Sequence, residues 1–188
     1  MMVKRPLDLS HDFLAEVLDS SSTALDATMG NGYDTVFLAR LAKQVYAFDI
    51  QEQAALQTQN RLQELGLTNV QIILDGHEHV DRYVGEIKAA VFNLGYLPKA
   101  DKSVITKPET TLQALQKVLD CLLIGGRVAI MVYHGHTGGK EEKDAVLAFA
   151  ENLPQTQFSV MLYQPLNQKN TPPFLIMIEK LKQDTKAV

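Results

Sequence analysis

The feature that most constrains this chain is a regular alternation of short, β-branched apolar runs with longer amphipathic segments. The runs 23–28, 45–50, 70–75, 89–94 and 126–133 are brief and densely apolar, as strands covered on both faces must be. Helical spacing fills the gaps between them. Val36, Phe37, Leu38 and Leu41 share a face over 34–43, and Ala54, Ala55, Leu62 and Leu65 do so over 51–65, with Gly66 placed as a C-cap. Segments 110–124, ended by Gly125-Gly126, and 140–152 read as two more helices, and 8–18 as a short opening helix over the ligand edge of the sheet. The end of the chain breaks the rhythm. Runs 158–166 and 173–181 follow one another with only the polar linker 167–171 between them, too short for a parallel crossover, so they form an antiparallel hairpin. The expectation is an α/β fold over one domain, 1–188: a seven-stranded sheet, mostly parallel, with helices on both faces.

Composition limits the classes of function. A 46% hydrophobic and 21% charged chain has the balance of a globular protein with a buried core. No apolar run approaches the roughly 20 residues a bilayer demands, and Met1-Met2-Val3-Lys4-Arg5-Pro6 is followed by no apolar signal core, so no membrane partner and a cytoplasmic location are expected. The one cysteine, Cys121, excludes an internal disulfide and a cysteine zinc site, and it lies in an apolar stretch as filler. The net charge of −4 disfavours a protein that coats long nucleic acids, yet it permits a local basic patch for one structured RNA.

The segment Asp26-Ala27-Thr28-Met29-Gly30-Asn31-Gly32-Tyr33-Asp34-Thr35 closes a strand and opens a helix, where a nucleotide-binding glycine loop belongs. Gly30 and Gly32 let a ligand approach the main chain, but Thr35 holds the place of a dinucleotide loop's third glycine. Asp26 stands four positions ahead of Gly30; a carboxylate there helps a ligand with an α-ammonium group and repels a pyrophosphate. The loop thus resembles the acidic–glycine loop of Rossmann-like methyltransferases, with Asn31, Asp34 and Thr35 completing it and S-adenosylmethionine as the expected cofactor. Asp49, with Gln51 behind it, ends the second strand, where a carboxylate accepts hydrogen bonds from a ribose diol; its plain alternative is a helix N-cap. Asp75, Gly76 and His77, at the third strand's end, are placed to contact an adenine. The cluster His77-Glu78-His79 raises a metal site, but alternate residues point apart on a helix and no further ligands are evident, so no metal is expected.

The fourth strand ends Asn93-Leu94-Gly95-Tyr96. Its first and last letters are those of the Asp/Asn-Pro-Pro-Tyr motif of amino-group methyltransferases. An amide oxygen there takes a hydrogen bond from the target N–H and aligns the lone pair, and an aromatic beside it stacks on a base or surrounds a cation. The plain alternative is a turn leaving the sheet with Tyr96 packed beneath it. His134 and His136, in a glycine-rich loop after the fifth strand, are candidates for substrate binding or for a base; the alternative is a turn before a helix whose Glu141 and Glu142 offset its dipole. Lys99, Lys102 and Lys107 are candidate RNA-phosphate contacts, though solvated charge is the commoner explanation for such lysines. Carbon methylation through a cysteine adduct is disfavoured, which leaves transfer to nitrogen or oxygen.

Four segments together resemble one family: the glycine loop 26–35; Asn93-Leu94-Gly95-Tyr96-Leu97-Pro98 with Asp101-Lys102; Thr106-Lys107-Pro108-Glu109-Thr110-Thr111; and Tyr133-His134-Gly135-His136. They are similar to the small bacterial proteins labelled putative rRNA methylases, the YtqB-like family also called MnmM. Lys99 and Ala100 stand where that family usually carries two glycines. The resemblance implies a tRNA partner and methylation of the primary amine of 5-aminomethyl-(2-thio)uridine at the wobble position. A homodimer is also expected, since so small an enzyme gains RNA-contact surface from a second subunit. The rival readings are a methyltransferase for rRNA or a small-molecule amine, an NAD-dependent oxidoreductase, and a non-catalytic RNA-binding module.

Overall fold

The computed structural model describes residues 3–95 and 106–182. Seven strands form one sheet in the order β3-β2-β1-β4-β5-β7-β6: β1 Thr23–Asp26, β2 Gln44–Asp49, β3 Val70–Leu74, β4 Ile87–Leu94, β5 Leu122–Val132, β6 Phe158–Tyr163 and β7 Phe174–Lys180. The first five run parallel, while β7 lies antiparallel between β5 and β6. The strand order reverses between β1 and β4, and the crevice above that point is where an open α/β sheet takes its ligand.

The helices are α1 Pro6–Ala15, α2 Tyr33–Ala39, α3 Glu52–Glu64, α4 Pro108–Cys121 and α5 Gly139–Glu151. One core layer joins Leu14 and Leu18 to Leu38, Val45, Val91, Met131 and Leu175, with α1 and α2 over it. The other joins Phe48, Phe92 and Ile130 to Leu115, Leu119 and Val146 under α4 and α5. Arg127 on β5 fastens α1: its guanidinium donates to the Phe13 carbonyl at 2.8 Å, reaches Glu16 and Glu179, and lies over the Phe13 ring. Among the described residues no helix is long and apolar enough to cross a membrane.

Two differences from the expected elements have clear causes. The helix expected over 110–124 stops at Cys121, and Leu122 already carries extended angles. Gly125, at φ +68°, then sits in a bulge where β5's register against β4 shifts, so the glycine pair bends a strand and does not cap a helix. Lys180 does the capping, its buried ammonium donating to the Leu119 carbonyl at 2.7 Å. Between β3 and β4, where no element is expected, His77–Arg82 forms a 3₁₀ turn, tied to α4 by Lys117, which donates to the Glu78 carbonyl and to Asp81.

Candidate active site

Above the switch point lies a cavity of about 780 Å³, bounded by the ends of β1 to β5, α1 and the start of α4. That is within the usual range of small-molecule sites. Its floor is the loop after β1. Gly30, at φ +50°, donates its N–H to Asp49 Oδ2 at 3.1 Å, and its carbonyl accepts from Thr58 of α3. Gly32 caps α2 at φ +79°, and a Cβ there would lie 2.7 Å from Thr58 Oγ1, so only glycine fits. Arg61 holds the Asn31 carbonyl at 2.9 Å and lies over the Tyr33 ring at the rim.

Of the residues expected to bind cofactor, Gly30, Asn31, Asp34, Asp49, Gln51, Asp75, Gly76 and His77 line the cavity, while Asp26, Gly32 and Thr35 do not. Asp26 is fully buried behind the loop, accepting from the Thr28 N–H at 3.2 Å and the Thr35 hydroxyl at 2.6 Å. Burial, with the nearby Asp34 charge adding to it, pushes its carboxyl up to about 8. Burial also raises Asp49, whose Oδ1 accepts the Gln51 N–H. Asp75 accepts from His79 Nδ1 and Tyr83 Oη, both at 2.8 Å, and these bonds bring it down to about 2. The His77 Nδ1 meets the Ala27 carbonyl at 3.0 Å, and burial lowers its pKa, so the imidazole is neutral with Nε2 left as an acceptor. Among the described residues no three His, Cys, Asp or Glu side chains gather as a metal site. Burial raises the Cys121 thiol to about 11, which makes it inert.

Asn93, Lys107, His134 and His136 reach the same cavity, whereas Tyr96, Lys99 and Lys102 lie outside the described residues. The Asn93 backbone N–H donates to Thr28 Oγ1 at 2.7 Å, so the threonine standing where such loops often begin with glycine ties β1 to the end of β4. The Asn93 side chain donates Nδ2 to Asp34 Oδ2. Its Oδ1 is buried with no hydrogen-bond partner among the described residues, as is His134 Nδ1. His136 sets both ring nitrogens against carbonyls, of Tyr133 at 2.8 Å and Thr137 at 3.0 Å. A buried acceptor without a partner costs roughly 1–3 kcal/mol, so Asn93 Oδ1 marks a place for a donor from outside.

Three parts of the site escaped the sequence reading. His11 of α1 meets Asp34 Oδ1 at 2.6 Å and stacks on Phe37; the expectation that the opening helix covers the ligand edge was the only signal for it. Thr28, inside the glycine loop, bonds the Asn93 N–H with its hydroxyl, a tie across 65 positions that loop patterning does not show. Glu142, expected as a first-turn acid offsetting a dipole, is buried and accepts from Thr106 and Thr111 at 2.6 and 2.7 Å. Thr106 also pairs with Gly95 through its backbone N–H and its hydroxyl, fixing where the chain leaves β4 and re-enters α4.

Known proteins share this architecture over nearly the full chain. A putative methyltransferase from Streptococcus mutans, solved in complex with SAH, is 64% identical, with a TM-score of 0.92 over 96% of this chain and 100% of that one. A putative rRNA-methylase from Clostridium thermocellum is 42% identical, with a TM-score of 0.94 over the same shares. The chloroplastic tRNA (mnm(5)s(2)U34)-methyltransferase of Arabidopsis thaliana is 33% identical over 94% of this chain and 70% of its own length. With the cavity over the switch point, these likenesses define the class: a methyltransferase dependent on S-adenosylmethionine. Residues 45–179 match the family model described as Putative rRNA methylase, and the chain belongs to that family.

Proposed function

We propose that this protein methylates the primary amine of 5-aminomethyl-(2-thio)uridine at the wobble position of tRNA. The observation that carries the reading is Asn93, a cavity-lining residue whose buried Oδ1 has no hydrogen-bond partner among the described residues. It suits an amine, which brings N–H donors, better than an ether or a carboxylate, which bring none. Similarity to the tRNA (mnm(5)s(2)U34)-methyltransferase of Arabidopsis supports the choice of RNA.

S-adenosylmethionine supplies a methyl carbon on a sulfonium. Gly30 and Asn31 hold the methionine end, with Asp26, Gly32 and Thr35 shaping the loop from behind. Asp49 and Gln51 take the ribose; each Asp49 oxygen spends one lone pair on a backbone N–H and keeps another for a hydroxyl. Asp75, Gly76 and His77 border the adenine. Asn93 Oδ1 accepts one amine N–H and so aims the nitrogen lone pair at the methyl carbon. The N–C bond forms as the C–S electron pair stays with sulfur, and the product leaves as a secondary ammonium. A primary alkyl amine is mostly protonated at neutral pH. Burial favours its neutral form, and His134, on the same cavity, has a buried Nδ1 with no partner among the described residues. Tyr96 stacks on the base, while Lys99, Lys102 and Lys107 meet phosphates.

The test is incubation with S-adenosylmethionine and tRNA carrying 5-aminomethyl-2-thiouridine, followed by nucleoside mass spectrometry. One methyl gained on that nucleoside is expected. No gain, with cofactor binding intact, overturns the substrate and moves the search to rRNA and small amines. Asn93→Ala is expected to lower turnover about 10²-fold with cofactor affinity nearly unchanged; comparable turnover in that variant removes Asn93 from the chemistry.

A further inference from the structure

We infer that His11, from outside the strand-end loops that hold cofactor and amine, is a positioning residue that sets the orientation of the Asn93 amide through Asp34. The inference rests on the amine-methylating reading above and adds a specific device to it.

An asparagine amide has two orientations a half-turn apart, which exchange the places of its oxygen and its nitrogen. Asp34 makes the selection. The Asn93 group that faces Asp34 Oδ2 is Nδ2, which donates to it, so Oδ1 faces the other way. Nothing else among the described residues bonds that oxygen. The selection fails if Asp34 rotates, because the torsion that turns a carboxylate is broad and soft. His11 prevents this by donating Nε2–H to the second oxygen at 2.6 Å. The pair is also well shielded, with side-chain exposures of 30% for His11 and 11% for Asp34.

His11 is itself held from three sides. Its ring lies parallel to Phe37 of α2, centroids 3.9 Å apart and planes 3° apart. Its helix is pinned at Phe13 and Glu16 by Arg127. Further toward the N-terminus, the Lys4 carbonyl accepts from Tyr163 of β6 at 2.7 Å. The other charged or titratable groups near the pair are Asp26 beneath Asp34, Asp8 on α1 and Tyr133 at the end of β5. None of them bonds the Asp34 carboxylate in place of the imidazole.

The experiment is a double-mutant cycle between His11 and Asn93, read in single-turnover methyl transfer to the aminomethyl-uridine tRNA, with SAH affinity from calorimetry and KM for tRNA beside it. His11→Leu is expected to lower the transfer rate about 10- to 100-fold, with SAH affinity and KM within about twofold of wild type. His11→Gln, whose amide N–H can reach the same oxygen, is expected to recover most of that loss. In the Asn93→Ala background His11→Leu is expected to cost almost nothing further, because the group it positions is gone. A full additional loss in that background, or an unchanged rate in His11→Leu alone, overturns the inference. So does a parallel fall in SAH affinity, which marks a merely structural part. A wild-type protein that transfers no methyl to this tRNA overturns the substrate reading and the inference with it; transfer without coupling overturns the inference alone.

Discussion

At the scale of single residues, burial decides more than charge. Asp26 is the first acid of the glycine loop, yet it has no exposed surface and its carboxyl is raised to about 8. The sign of the consequence follows from linkage: the folded state binds this proton more tightly than the unfolded chain does. Its contribution is fully present below the ordinary aspartate value and is lost as pH rises through about 8. The free protein is therefore expected to lose thermal stability between pH 6 and 9. Asp26→Asn, which keeps a donor and an acceptor in place of the protonated acid, should flatten that slope; melting curves at the two pH values decide it. Asp75 works in the opposite sense, adding stability above the ordinary range that is lost as pH falls through about 2. The loop's identity was legible, because glycines and an acid at a strand end have few other uses. The protonation and burial of Asp26 were not, since one-letter patterning shows that an acid is present and nothing of what covers it. His11 was missed for a related reason: its partner, Asp34, is 23 positions away.

Elements with strong periodicity were the legible ones. The antiparallel pairing of β6 with β7 follows from the shortness of the connection between them, and the five parallel strands from their apolar runs. The junction of α4 and β5 was read wrongly because Leu122-Leu123-Ile124 suits either element, and only pairing to Ile87 makes it strand. The 3₁₀ turn His77–Arg82 is too short to show a period. The most consequential link between elements is Glu142, which joins α5 to the start of α4 through two threonine hydroxyls. Glu142→Ala leaves both hydroxyls without their acceptor and is expected to cost about 2–4 kcal/mol. Urea unfolding with an unchanged m-value is the check. A cost below 0.5 kcal/mol places the junction's stability in its apolar contacts instead.

At the scale of the whole molecule, the cavity draws its walls from the ends of five strands and from helices on both faces of the sheet. A ligand there ties together parts of the chain far apart in sequence, and it binds the folded state alone. SAH at a hundredfold excess over its Kd should add about 2.7 kcal/mol, which raises the Tm of a chain this size by roughly 5–10 °C. Differential scanning fluorimetry reads this directly, and an unchanged Tm with measurable binding means that the unfolded chain binds SAH as well, which overturns a site assembled by the fold.

Gly95 and Thr106 meet across the mouth of the cavity, the backbone N–H of one on the carbonyl of the other at 3.0 Å, with the Thr106 hydroxyl anchored to Glu142. One buried carboxylate on α5 thereby holds the end of β4 and the start of α4 in a single grip, through Thr106 and Thr111. The spacing of those two ends follows the seating of a helix on the far side of the chain, so a change that shifts α5 is felt at the opening of the cavity without touching any residue that lines it.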